Sequence, residues 1–382
     1  MKQKLIRITT VPMSLNKLLE GQLNFMNQHY DVIAVSSDDK ALKRIGQKEG
    51  VSTFNVEMTR KITPLKDLAS LVKLYFFLKK QKPRIVHTHT PKAGIIGMLA
   101  AKLANVPIRL HTVAGLPLLE AKGFKRKILN YIEKLTYSCA NRVYPNSYGL
   151  KSIIEQENFT ASEKIKVIGN GSSNGIDTNY FNPRLINEND KESLRADLKV
   201  SNKDFVFIFV GRIVSDKGIN ELVESFNKLS LELNSIKLLL VGPTEADFDP
   251  IKEKTNKTIN ENIKIITTGY QQDVRPYFAI SNVLVFPSYR EGFPNVVMQA
   301  GAMGLPSIVS NINGCNEIIK DNINGSIVMV KSVNSLYDKM KNYAENTEEY
   351  KNIQNNTREI IVNKYQRSSF FKALLKEYKT FE

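Results

Sequence analysis

The sequence predicts an α/β protein of two similar halves, each a parallel sheet covered by helices. Three observations predict it. Short apolar runs alternate with longer segments of helical periodicity from residue 4 to 168 and again from 204 to 378. A stretch dense in turn formers, Asn170-Gly171-Ser172-Ser173-Asn174-Gly175, separates the two series. The length, 382 residues, is enough for two or three domains with their own cores.

In the first half, Lys4–Thr10, Asp31–Val35, Val51–Phe54, Arg84–Val86, Pro107–His111, Arg142–Tyr144 and Lys166–Ile168 read as strands. Helical spacing of Leu18, Leu19, Leu23 and Phe25 predicts a helix over Asn16–Gln28, and Ala41–Gln47 a short one. Leu65–Lys82 is a long helix, expected to turn Leu68, Leu71, Val72, Tyr75 and Phe76 toward the core. Pro91 opens a helix to about Ala104, since its missing N–H costs nothing in a first turn. Phe124–Cys139 is another, and Ser147 is placed to cap a helix over Leu150–Gln156.

In the second half, Asp204–Val210, Ile236–Val241, Ile263–Thr267, Val283–Phe286 and Ser307–Ser310 are the expected strands. Helices follow over Ile219–Leu229, near Tyr277 and Phe278 after Asp273, and from Pro294 to about Gly304. Ser332–Glu345, Thr347–Tyr365 and Arg367–Tyr378 close the chain.

The net charge of +16 is unevenly placed. Residues 1–175 hold 28 Lys+Arg against 12 Asp+Glu, and residues 176–382 hold 26 of each. Anionic lipid, phosphorylated substrates and nucleic acid all suit a basic first half, but no basic and aromatic nucleic-acid motif is present. Two cysteines, Cys139 and Cys315, make no disulfide framework and point to a reducing cytoplasm. MKQKLIRITTV lacks the apolar core of a signal peptide, and no uninterrupted apolar run reaches about 18 residues.

Two loops carry the chemistry. In Gly211-Arg212-Ile213-Val214-Ser215-Asp216-Lys217-Gly218, between a strand and a helix, Arg212 offers a planar fork and Lys217 a point charge. Both sit beside a helix N-terminus, where free N–H groups and the dipole already favour an anion. In Ser288–Pro306, SYREGFPNVVMQAGAMGLP, Glu291-Gly292-Phe293 forms a tight loop before a helix beginning at Pro294. Other matches carry less. His87 and His89 lie on one face of an extended segment, but no further Cys or His adjoins them for zinc. Asp247-Phe248-Asp249 is a D-x-D triplet in a polar loop, a pattern too short to assign a metal. The first strand is not followed by G-x-G-x-x-G, and no P-loop is present.

These loops resemble those of retaining glycosyltransferases of the GT-B fold, family 4. Gly211, Arg212, Lys217 and Gly218 match G-R-x-x-x-x-K-G. Glu291-Gly292-Phe293-Pro294 match the start of the family's E-x7-E region, whose eighth position here is Gln299. The segment IDTNYFNP, from Ile176, resembles the family's entry into the second domain. The resemblance implies two Rossmann-like domains facing across a cleft, residues 1–172 for the acceptor and 173–365 for the nucleotide-sugar. It also implies a final helix, 366–382, that crosses back to the first domain.

By the same resemblance, Arg212, Lys217 and Glu291 are the catalytic set. Arg212 and Lys217 hold the donor diphosphate and Glu291 takes sugar hydroxyls. Gly211, Gly292, Phe293, Pro294, Asn295 and Val296 bind the donor through backbone. Gln299 stands where the family's second Glu meets the ribose, with one acceptor and one donor pair in place of a charge. Ser14, His111 and Gly115 are the candidates on the acceptor side. Many members carry a His directly before that glycine, and here the position is Ala114.

The reaction implied is transfer, without metal or other cofactor, from a UDP-sugar to a lipid-diphosphate-linked glycan of capsule or O-antigen. No nucleic acid is a partner. The alternatives are a UDP-sugar 2-epimerase of GT-B-like fold and a non-catalytic basic protein binding nucleic acid or lipid. The basic first half suits docking at the inner face of the membrane. Its expected patch is Leu116–Lys127, where Leu116, Leu118, Leu119 and Phe124 flank Lys122, Lys125, Arg126 and Lys127. Phe76, Phe77, Lys79, Lys80 and Lys82 form a second.

Overall fold

Apolar Leu5, Ile6 and Ile8 place β1, Lys4–Ile8, at the centre of the first of two parallel sheets. A computed structural model describes residues 2–59, 63–245 and 249–382. The chain divides into two units. One runs to Gly175 and adds Ser368–Glu382, and the other is Ile176–Arg367. The division falls three residues beyond the expected 172.

In the first unit β1 is joined by β2 (Asp31–Ser36), β3 (Ser52–Asn55), β4 (Ile85–His89), β5 (Ile108–Val113) and β6 (Arg142–Pro145) in the order β3-β2-β1-β4-β5-β6. Every pairing is parallel. Successive residues of a strand face opposite sides, so Ile6, Ile8 and Val86 enter one core and Leu5, Val32 and Leu110 the other. The second core is closed by Phe370, Phe371, Leu374 and Tyr378 of the last helix. Burying each of these large side chains contributes about 1.5–3 kcal/mol, which fastens the chain's end to this unit.

The second unit repeats the plan with β7 (Phe205–Val210), β8 (Ile236–Val241), β9 (Ile265–Gly269), β10 (Val283–Phe286), β11 (Ser307–Ser310) and β12 (Gly325–Val328). Their order is β12-β11-β10-β7-β8-β9. In such sheets ligands bind beyond the carboxyl ends of the strands, where the order reverses. That point lies between β1 and β4 in the first unit and between β7 and β10 in the second.

Several elements differ from expectation. Asn16–Gln28 is two helices, Pro12–Leu18 and Gln22–Asn27, parted at Gly21, whose φ of 73° breaks the turn. Lys166–Ile168 forms no strand; only a bridge from Val143 to Ile165 precedes it. β12 was not expected at all. The long helix Pro64–Gln81 buries Ser70, Leu74 and Leu78 instead of Leu68, Val72 and Phe76, which are exposed. Phe77 turns inward and stacks on Phe54 with centroids 3.7 Å apart.

Candidate functional site

β7 and β10 are hydrogen-bonded neighbours, so the loops at their carboxyl ends emerge side by side. After β7 the chain passes Gly211 and Arg212, then a single 3-10 turn, Ser215–Lys217, then the helix Ile219–Glu232. Gly218 joins turn to helix at φ 72°, and a Cβ there would lie 2.1 Å from Pro287 O. Only glycine allows this approach of the two loops.

The approach brings the predicted residues together. Lys217 Nζ lies 2.5 Å from Glu291 Oε1, with both side chains largely buried. Ser288 Oγ donates to the same carboxylate oxygen at 3.0 Å. Arg212 Nη1 lies 2.8 Å from Glu245 Oε2 in a more exposed pair. That hydrogen bond raises the Arg212 pKa above its ordinary value, and partial burial opposes it. Arg212 is therefore charged, and both side chains are held by carboxylates.

The loop after β10 leads into the helix Asn295–Ala302, with Pro294 at its N-cap. Phe293 is buried and meets Tyr365 edge-on at 5.5 Å, which anchors the loop. The N–H groups of Gly292, Phe293, Asn295 and Val296 meet no acceptor among the described residues. Those of Asn295 and Val296, orphan donors at a helix start beside Lys217, are an anion-binding arrangement. Gln299 is partly exposed one turn further on.

Asp249 accepts from Asp216 N at 2.6 Å and so caps the 3-10 turn. Asp247 and Phe248 lie outside the described residues. Among the described residues no three His, Cys, Asp or Glu side chains gather as a metal site.

The first unit answers differently. His111 is 2 % exposed, its Nδ1 2.7 Å from Thr88 Oγ1 and its ring against Gly94. Burial lowers its pKa to about 4. Expected on the acceptor side, it is a packed core residue instead. Ser14 lies in the first turns of the helix Pro12–Leu18, partly exposed, with its N–H on Val11 O. Gly115 lies just past β5 with open space around it.

Arg7, not among the candidates above, joins His87 and His89 at the β1–β4 reversal. Arg7 is fully buried, and its charge is met by Tyr378. Its Nη1 donates to Tyr378 Oη at 2.8 Å, and its Nη2 contacts Gln22 Oε1 and lies 2.7 Å from His89 Nε2. His87 stacks on His89 at 4.4 Å and reaches Tyr378 Oη and Thr112 Oγ1. Burial pushes both histidines well below their ordinary pKa, for His87 aided by His89 and Arg7 and for His89 by Arg7. They are neutral, so His89 can accept from Arg7. The available signal was an arginine inside the apolar run of β1.

The expected membrane patch is also reshaped. Leu116 and Leu118 are buried. Arg126 is engaged by Glu157 at 2.6 Å, Leu118 O and Asn130. Lys122, Lys125 and Lys127 are exposed. On the helix Gly123–Cys139, Phe124, Ile128 and Tyr131 form an exposed apolar stripe, with Leu119 exposed before it. Leu65, Leu68, Val72 and Phe76 form another along Pro64–Gln81. Both helices pack against the same helix, Pro91–Leu103. Among the described residues no helix is long and apolar enough to cross a membrane.

Residues 190–360 match the model of the glycosyl transferases group 1, and residues 19–147 that of the glycosyl transferase 4-like proteins. A capsular polysaccharide biosynthesis glycosyltransferase of Staphylococcus aureus, CapM, is 35% identical over 380 residues, covering 99% of this chain and 97% of that one. The chain is a group 1 glycosyltransferase. A second relative of the transferase is an Escherichia coli UDP-Gal:alpha-D-GlcNAc-diphosphoundecaprenol alpha-1,3-galactosyltransferase. It is 31% identical over 313 residues, covering 81% of this chain and 79% of that one. Among solved structures, Anabaena HepE in complex with UDP and glucose superposes with a TM-score of 0.81 at 17% identity, covering 99% of this chain and 100% of that one. The two Rossmann-like units are thus those of the GT-B fold, as expected.

Proposed function

We propose that the transferase moves a sugar from a nucleotide-sugar, UDP-linked, to a lipid-diphosphate-linked glycan in surface-polysaccharide assembly, with retention of configuration. The observation that carries this reading is the meeting of Arg212, Lys217 and orphan helix-start N–H groups beside Glu291. A departing nucleoside diphosphate develops negative charge, and fixed donors stabilise it without reorganising. Glu245 and Glu291, which hold the cations in the free enzyme, yield to the diphosphate and to sugar hydroxyls respectively. With charge neutralised by side chains and N–H groups, no metal is required. Attack occurs on the face the diphosphate leaves, and the departing phosphate takes the acceptor's proton. The UDP and the diphosphate-linked acceptor in the E. coli relative's name support these choices.

The test is a screen of UDP-sugars for thermal stabilisation, followed by transfer to lipid-diphosphate glycans in EDTA, with the product anomer read by NMR. Turnover with retained configuration is expected. Donor conversion without acceptor would point to an epimerase, and activity restored only by Mg²⁺ or Mn²⁺ would overturn metal independence.

The same reading places the first unit on anionic lipid at the cytoplasmic membrane face, through Phe124, Ile128 and Tyr131 with Lys122, Lys125 and Lys127. Each cation near such a surface contributes about 1 kcal/mol. Sedimentation with anionic liposomes should fall steeply with salt and weaken when the three lysines become Ser. Equal binding to neutral liposomes would refute it.

A further inference from the structure

The loop that bears Glu291 is braced by a turn whose chemistry the family motifs do not cover. Between β11 and the short helix Cys315–Ile318, Asn313 Nδ2 donates to Glu291 O at 3.1 Å and to Gly292 O at 2.9 Å. The next residue, Gly314, has φ 76°, and a Cβ on it would lie 2.3 Å from Gly292 O. The turn is therefore pressed against the donor loop at backbone distance, and one side-chain amide holds two successive carbonyls.

Peptide geometry gives this a consequence. Across a trans peptide the C=O and the following N–H point in opposite directions. Drawing Glu291 O and Gly292 O toward one amide turns the N–H groups of Gly292 and Phe293 away from it. Neither finds an acceptor among the described residues. The same two bonds fix the backbone from which the Glu291 carboxylate reaches Lys217 and Ser288.

We propose that Asn313 is a positioning residue for the sugar end of the donor. Its amide aims the Gly292 and Phe293 N–H groups and the Glu291 carboxylate at the transferred sugar. Arg212 is held by a different contact, through Glu245. Loss of Asn313 therefore spares the grip on the diphosphate and damages the placement of the sugar. This rests on the nucleotide-sugar reading above.

Asn313→Asp keeps the size and sets a carboxylate oxygen against two carbonyls, and Asn313→Ala removes the donor outright. UDP affinity is measured by calorimetry, and kcat and KM with the UDP-sugar that the wild type turns over. Both variants should bind UDP within about twofold of wild type while kcat falls about tenfold or more, as expected for a misplaced reactive group. Unchanged kcat in both would overturn the proposal. So would UDP affinity, kcat and melting temperature falling together, which marks a merely structural residue. A wild type that neither binds nor turns over any UDP-sugar would fell the donor reading, and the proposal with it. A wild type that does both, matched by its variants, would fell the positioning role alone.

Discussion

The two units share a strand plan but use its point of reversal in opposite ways. Between β7 and β10, polar groups stand at loop ends, partly exposed and held in ion pairs that a ligand can exchange: Arg212 with Glu245, Lys217 with Glu291. Between β1 and β4, Arg7, His87 and His89 are buried and, Arg7 Nε apart, saturated by one another and by Tyr378 of the last helix. The charge runs the other way, since the first 175 residues hold all the net excess and the rest is balanced. On the proposed reading, the anionic donor meets the charge-balanced unit, where cations have exchangeable partners, and not the basic one.

The largest effect should come from the exchangeable side. Arg212→Ala or Lys217→Ala removes a preorganised charge from the proposed diphosphate site, and transfer should slow roughly 10²–10³-fold or more. The melting temperature should barely move for the exposed Arg212 and fall for Lys217, whose loss leaves the largely buried Glu291 carboxylate without its ion pair. Near-wild-type rates in both folded variants would erase the contrast between the units.

Acidification probes the saturated side. His87, His89 and His111 are held neutral below the ordinary value of 6.5, His111 to about 4. Below pH 6.5 the unfolded chain takes up protons that the folded unit refuses. Their contribution is therefore complete above 6.5 and is lost as pH falls from there toward 4. Each histidine steepens the loss by about 1.4 kcal/mol per pH unit. Urea unfolding of the first unit at pH 7.5 and 5.5, followed near Tyr378, should show it. Equal stability at the two values would mean that these rings are not neutral in the fold.

These differences also explain what was legible in the sequence. Most strand positions and the loops of Arg212, Lys217 and Glu291 were readable because apolar runs, glycines and Pro294 state them locally. The buried face of Pro64–Gln81 was not. That helix carries two apolar stripes, Leu65-Leu68-Val72-Phe76 and Leu74-Leu78, and periodicity cannot say which one faces the sheet. β12 was hidden because it opens with Gly325, where a Cβ would lie 2.2 Å from Ser307 O. The residues of the expected membrane patch divide between surface and core for a related reason. Leu118 and Arg126 are near in sequence to exposed cations but are spent on packing and on Glu157.

A gentler probe of the saturated network is Tyr378→Phe. The hydroxyl serves both Arg7 and His87, so its loss leaves buried polar atoms unpaired at about 1–3 kcal/mol. The first unit should melt earlier while UDP affinity, proposed to reside in the second, stays unchanged. A matching fall in UDP affinity would show that the network serves the donor after all.

The smallest effect belongs to Gln299. It stands one turn into the helix that follows Glu291, partly exposed, on the element whose first N–H groups meet no acceptor among the described residues. A glutamine there offers the ribose one acceptor and one donor pair where a glutamate offers only acceptors. Gln299→Ala should weaken UDP binding by about 0.5–1.5 kcal/mol, the net scale of one neutral hydrogen bond. Gln299→Glu should be tolerated, because an acceptor remains in place and the added charge is partly solvated. Deoxyribose separates contact from background: 2′- or 3′-deoxy-UDP should bind the wild type more weakly than UDP, yet bind Gln299→Ala no worse than UDP does. If alanine leaves UDP affinity unchanged, the ribose is held elsewhere, and the exchangeable side of the molecule is narrower than the loops of Arg212 and Glu291 make it.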